Sequence, residues 1–241
     1  MSDLLARRAS AVRQRDAAAF RATIDARDRD FSAAQDVLFR NLLGLPLAEW
    51  RYGSVSDVRP LSTSGASTSD AAFEVDADLV YRLDPFDERP VHSPRRLTLL
   101  HRGGAWVLGA EEIVPDLGMV PEVWELGRVT VARGRRSLVV LRPVEGRSAG
   151  SFVSEADRAV SQVSSVWGEG VPVVVVVPAS QDEAVRLLRD DRPLDAVAAV
   201  TTGRPLVRHG RGLDRALRPT NVSSSTRGPS TRSRRRVAPW S

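Results

Sequence analysis

Phe73-Glu74-Val75-Asp76-Ala77-Asp78-Leu79-Val80-Tyr81-Arg82-Leu83-Asp84 is the stretch that decides the fold. Phe73, Val75, Ala77, Leu79, Tyr81 and Leu83 alternate with Glu74, Asp76, Asp78, Val80, Arg82 and Asp84. A period of two sustained over this length predicts a strand with one face in a core and the other wet and acidic. Downstream, Asp84-Pro85-Phe86-Asp87 reads as a turn. Arg95 to His101 and Ala105 to Glu111 flank Gly103-Gly104, a hairpin signal. Upstream, Trp50 to Val58 reads as another strand, and Leu61 to Ser69 as a Ser/Thr/Gly loop.

Ahead of these strands the period changes. Leu5, Ala9, Val12, Ala19, Phe20 and Ile24 fall near one face at helical spacing. The polar run Asp25 to Asp30 supplies N-cap candidates. Phe31, Ala34, Leu38 and Leu42 make a second stripe, with Gly44 and Pro46 as C-terminal punctuation. A helical hairpin therefore precedes the sheet.

Around Pro115 to Pro121 the pattern changes again. Val123 to Ala132 and Ser137 to Leu141 flank Arg133-Gly134-Arg135-Arg136, a further hairpin signal. Phe152, Ala156, Ala159, Val160, Val163, Val166 and Trp167 have helical spacing, ended by Gly168. Val173 to Val177 is an unbroken Val run, expected as a strand buried on both faces. Ser180-Gln181-Asp182-Glu183 is a capping-box pattern opening a helix with Ala184, Val185, Leu187 and Leu188. Ala196 to Val200 reads as a second buried strand. The expected fold class is α+β. A helical hairpin on a curved antiparallel sheet spans residues 1–117, and a small α/β lobe spans 118–203. An Arg/Ser/Pro-rich tail spans 204–241 and is too poor in apolar residues to build a core, so disorder is expected there.

The chain has 241 residues, 35 basic and 30 acidic, for a formal charge of +5. Its pI near 10.8 points at first to nucleic acid. The charge is unevenly placed. Residues 1–200 hold 25 Arg against 29 acidic residues, a net −4; residues 201–241 hold 10 Arg against Asp214 alone, a net +9. The Arg234-Arg235-Arg236 run has no interleaved aromatics beyond Trp240. It reads as an incidental basic tail rather than a nucleic-acid reader. Every basic residue is Arg, which fits codon bias in a GC-rich genome. With no Cys, disulfides, thiolate metal sites and Cys nucleophiles are excluded. No apolar run approaches the length of a membrane span, and Met1 to Arg8 lacks a signal-peptide core. The expectation is a cytosolic protein, or a start lying downstream of a lost leader.

Motifs for catalysis are missing. His92, His101 and His209 lack metal-ligand spacing, and no P-loop, Gly-x-Ser-x-Gly or Gly-x-Gly-x-x-Gly occurs. No catalytic residue, metal ligand or cofactor is therefore assigned. Glu74, Asp76 and Asp78 share a strand face, a pattern that alternation alone explains. Trp50, Tyr52, Phe73, Tyr81 and Trp106 are the candidate lining of a ligand pocket within the curved sheet, with plain core as the competing reading.

Two resemblances follow from longer stretches. Leu5-Ala6-Arg7-Arg8-Ala9 through Asp16 to Phe20, then Phe31, Gln35, Leu38-Phe39 and Leu45-Pro46-Leu47, resembles the helical hairpin of the nuclear transport factor 2-like fold. The strands at 73–83, 95–101 and 106–111 suit its cone-shaped sheet. Val123 to Gly127, Ser137 to Val140, Ala156 to Gly168, Val173 to Ser180 and Ala198 to Gly203 resemble the opening of a gluzincin, the peptidase MA-like zinc metallopeptidase domain. The combination is similar to that of actinobacterial proteins that are exported or membrane-anchored. Such a domain would next show His-Glu-x-x-His on a helix, two zinc-binding His and a water-activating Glu. Here the sequence turns Arg/Ser/Pro-rich and stops. That break suggests an out-of-frame or decayed C-terminus. The sequence thus leaves three functions: a catalytically dead metallopeptidase remnant, a module binding a small molecule or protein through its N-terminal domain, and nucleic-acid binding through the tail.

Overall fold

The computed structural model describes residues 1–61, 71–114, 118–167 and 172–188. Apart from Leu61, which ends a strand, the expected loop from Leu61 to Ser69 therefore lies outside the described residues, as do the helix stop Gly168, the strand Ala196 to Val200 and the tail 204–241. The described chain is α+β, as expected.

Three helices open it: α1 (Ser2–Gln14), α2 (Ala17–Arg21) and α3 (Arg29–Gly44). The first stripe was expected to run unbroken to Ile24, and it does not. Arg15 turns left-handed at φ 58° and Asp16 becomes an N-cap, its carboxylate accepting from the Ala19 amide at 2.9 Å. An Asp that can bond nearby amides favours a cap over a helix interior. Asp28 caps α3 likewise, accepting from Phe31 N at 2.9 Å. Gly44 ends α3 as expected, and it packs closely. A Cβ there would sit 3.2 Å from a methyl group of Val131.

The first sheet has the order β1 (Leu47–Leu61), β2 (Ala72–Leu83), β3 (Val91–Arg102), β4 (Ala105–Glu112), all neighbours antiparallel. Gly103 (φ 54°) and Gly104 (φ 82°) both have positive φ, as the two-residue hairpin turn requires. The segment after α2 runs beside β4. Leu108 N donates to Thr23 O at 2.8 Å and Asp25 N donates to Leu108 O at 2.9 Å, which covers part of an otherwise open edge.

The alternation in β2 is obeyed. Val75, Ala77, Leu79, Tyr81 and Leu83 are buried and face the helices together with Leu97, Leu99 and Leu108. The opposite face is less wet than expected. Val80 is buried, and the acids are matched by side chains of the flanking strands: Arg59 to Glu74 at 2.9 Å, Arg96 to Asp76 at 2.9 Å and the His92 ring to Asp78 at 2.5 Å.

The second half has the sheet order β5 (Thr130–Arg133), β6 (Ser137–Leu141), β7 (Val173–Val177), with helices α4 (Ala149–Trp167) and α5 (Gln181–Leu188). The strand expected from Val123 begins only at Thr130. Val123–Glu125 is a 3-10 turn, and Gly127 follows at φ 135°. The cause is Asn41 on α3. Its side chain donates to the carbonyls of Trp124 and Gly127, both at 2.8 Å, and accepts from Val129 N at 3.1 Å. Those groups are taken before a strand partner could use them. The Val run pairs in parallel with β6, yet it is only half-buried and Val176 is exposed, unlike the expected strand covered on both faces. Burial belongs instead to central β6, all of it inaccessible.

Apolar packing is continuous between the halves. One cluster joins Phe39, Leu42, Trp50 and Tyr81 to Val123, Trp124, Leu138 and Val140. The boundary expected near residue 117 falls within 115–117, outside the described residues.

Candidate functional site

The five aromatics expected to share a pocket divide into groups. Trp50 and Tyr81 are buried, their rings 6.2 Å apart, and the Trp124 ring meets Tyr81 edge-on at 5.4 Å. These are core. Phe73 and Trp106 lie 5.8 Å apart, with His101 against Trp106 at 5.1 Å. Tyr52 stands apart from both pairs, and its neighbours are the informative ones.

Arg8 lies on the apolar stripe of α1 and is fully buried. Its Nε donates to Tyr52 Oη at 3.1 Å, Nη1 donates to Thr23 Oγ1 at 3.4 Å, and Nη2 donates to Gln35 Oε1. The guanidinium also sits 4.1 Å above the Phe20 ring. Every partner among the described residues is neutral. A buried cation held this way keeps its positive field. Burial pushes the Tyr52 hydroxyl up, opposed by the nearby Arg8 charge.

A cleft of about 210 Å³ lies between α1 and β1. Ala6, Ala9 and Arg13 form one wall, and Arg51, Tyr52 and Gly53 the other. The Arg13 Nη1 donates to Trp50 O at 2.8 Å, which fixes the guanidinium; no carboxylate pairs with it among the described residues. Arg51 is exposed and pairs with half-buried Glu49 at 2.7 Å. A larger, more open hollow of about 530 Å³ lies under the loop from Pro143 to Ala149.

A second charged centre lies deeper. Arg95 of β3 is completely buried, its Nε 3.2 Å from Glu111 Oε1 and its Nη2 donating to Glu125 Oε1 at 2.7 Å. Glu122 N donates to the other Glu125 oxygen at 2.7 Å, and Ser93 Oγ donates to Glu122 at 3.4 Å. Burial works against the Arg95 charge, but Glu125, Glu111 and Glu122 outweigh it and raise its pKa. Burial pushes the Glu125 carboxyl up to about 7; Arg95 opposes this and the other two glutamates reinforce it. The acids on the outer sheet face differ. The hydrogen bond from Arg96 holds Asp76 below its ordinary value.

Among the described residues no His and carboxylate groups are arranged to hold a metal. His92 and His101 both lie on β3, and His209 is outside the described residues. Sequence reasoning missed Arg8, Asn41, Arg95 and the three glutamates. The signal was present for two of them. Arg8 falls between Leu4 and Val12 at helical spacing, and Arg95 is in phase with Leu97 and Leu99.

No protein-family model matches the chain, and no curated protein matches it. Among solved structures it is similar to a variant of Rv3472, described as a function unknown protein from Mycobacterium tuberculosis. The identity is 10%, the TM-score is 0.29, and the match covers 47% of this chain and 70% of the other. Among the described residues no helix is long and apolar enough to cross a membrane.

Proposed function

We propose that the chain is a non-catalytic binding module that takes a small anionic molecule in the cleft between α1 and β1. One observation carries this reading: the cleft wall holds the Arg13 guanidinium, oriented by Trp50 O and free of any carboxylate among the described residues. Arg8, behind Tyr52, adds positive field, and its hydrogen-bond partners among the described residues are all neutral. Ala6, Ala9 and Gly53 leave room for an apolar body. The volume, below that of drug-sized sites, suits a ligand of about ten non-hydrogen atoms. The non-catalytic part rests on the deeper centre. Both Glu125 oxygens there are engaged, by Arg95 and by Glu122 N, rather than offered to the cleft.

Thermal melting tests the reading, with butyrate, benzoate and inorganic phosphate as probes and butanol and benzyl alcohol as neutral controls. A ligand that binds only the folded state raises Tm with saturation. The anions should do so and the alcohols should not. Ala6→Leu, which fills the cleft from an exposed helix position, should abolish the effect. No saturable anion effect, or one unchanged in Ala6→Leu, contradicts the proposal.

The proposal retains the kinship read from the sequence: a nuclear transport factor 2-like first half, and a gluzincin-like second half lacking its zinc helix. Motif order alone supports it. Translating the coding DNA in the other two frames past residue 203 tests the out-of-frame reading; His-Glu-x-x-His in neither frame refutes it.

A further inference from the structure

Three carboxyl groups, Glu111, Glu122 and Glu125, gather around the single guanidinium of Arg95. Their side chains are largely withdrawn from water: Arg95 is 0% exposed, Glu111 12% and Glu125 16%. Fully ionised, three carboxylates would face this one guanidinium in a low-dielectric interior. Burial, reinforced by the two neighbouring carboxyl groups, favours the protonated form of Glu125. The location matters as much as the charge. Glu111 is at the end of β4, Arg95 is on β3, and Glu122 and Glu125 bracket the 3-10 turn that leads into the second sheet. The same turn carries Val123 and Trp124, which join the cores of the two halves.

We propose that this cluster is a proton-operated latch: a proton on the Glu125 carboxyl keeps the 122–129 segment docked on the first sheet, and its loss loosens that docking. The groups facing Glu125 are Arg95 from β3, Glu111 from β4, Glu122 from its own turn and, beyond Arg95, the Tyr52 hydroxyl of β1, itself bonded to Arg8 of α1. Of these, Glu125 is the carboxyl whose pKa burial raises. Losing the proton adds a negative charge beside the two neighbouring carboxyl groups around the same guanidinium. Asn41 holds the far side of the segment through three uncharged hydrogen bonds. Release on deprotonation is therefore local, an opening of the turn rather than global unfolding. The raised Glu125 value places the transition near pH 7.

Hydrogen exchange of the full chain, followed by mass spectrometry from about pH 5.5 to about pH 8.5 and corrected for intrinsic rates, reads this directly. Peptides covering 122–131 should lose protection at least about tenfold, one pKa unit of linkage, with a midpoint near 7. Those covering β6 should not. Glu125→Gln keeps an acceptor for Arg95 and should flatten the profile. Glu111→Gln removes a like charge without touching the turn and should move the midpoint toward more acid pH. Uniform protection across the range in the natural chain overturns the latch. So does a midpoint unchanged in Glu111→Gln, which decides the matter even if Glu125→Gln fails to fold.

Discussion

Asn41 shows how much one side chain can decide. It sits on the buried face of α3 among Leu38, Leu42 and Leu45, where a fourth apolar residue would have matched the pattern. Its three hydrogen bonds instead fix the backbone from Trp124 to Val129. Asn41→Leu would leave two carbonyls and one amide unpaired in the interior, and should cost about 3 kcal/mol, read by denaturant unfolding. A cost under about 1 kcal/mol would mean that water or another group replaces it. The sequence concealed this role because an Asn on an apolar stripe has no marker of its own; its partners lie more than eighty residues away. Arg8 and Arg95 were similarly hidden. Their spacing is in phase with the buried residues around them, but an Arg at such a position is ordinarily a surface residue.

At the level of elements, the turn between β5 and β6 offers the clearest prediction. Asp157 of α4 accepts from the amides of Arg135 at 2.8 Å and Arg136 at 3.1 Å and from Ser137 Oγ at 2.8 Å. Those backbone bonds hold its carboxyl below the ordinary aspartate range. A Cβ on Gly134 would lie 2.6 Å from the Asp157 oxygens. Gly134→Ala and Asp157→Ala should therefore both lower Tm, and the double variant should lose little more than the worse single one, since both act on the same clasp. Fully additive losses would show that the two act separately. The turn itself was legible from Arg133-Gly134-Arg135-Arg136, and so was α4; the clasp between them was not, because Asp157 looks like any polar helix residue. The same limit applies to strands. β2 was readable nearly residue by residue because one face is core. The Val run was misjudged because an unbroken apolar stretch does not say whether its second face is covered. The break between α1 and α2 depends on a single capping Asp in an otherwise continuous stripe.

For the molecule as a whole, the ionisable groups predict how stability depends on pH. Asp76, Asp157 and Glu183 are held below their ordinary values, Asp76 and Glu183 by Arg96 and Arg142 and Asp157 by backbone amides. Their contribution is present above the ordinary carboxylate range and is lost as pH falls through it. Glu125 has the opposite sign. Its folded value of about 7 lies above the ordinary 4.5, so its contribution is full below about 4.5 and is lost as pH rises through 7. Tm should therefore peak between about pH 4.5 and about pH 6 and decline on both sides. Glu125→Gln should flatten the neutral limb and leave the acid limb intact, whereas a Tm rising steadily to pH 8 would contradict the assignment. The five aromatics from which a pocket was read do not converge on one cavity. Only Tyr52 lines the cleft, and the cations that give it character come from α1 and from the buried interior.

The binding claim is tested most directly by titrating the isotopically labelled chain with benzoate and following its amide resonances. Saturable shifts are expected at Ala6, Ala9, Tyr52 and Gly53, and should weaken at least about tenfold in Arg13→Gln, the loss expected for a charge-assisted contact. Shifts scattered over other surfaces, or equal affinity in Arg13→Gln, would contradict a cleft built to hold an anion.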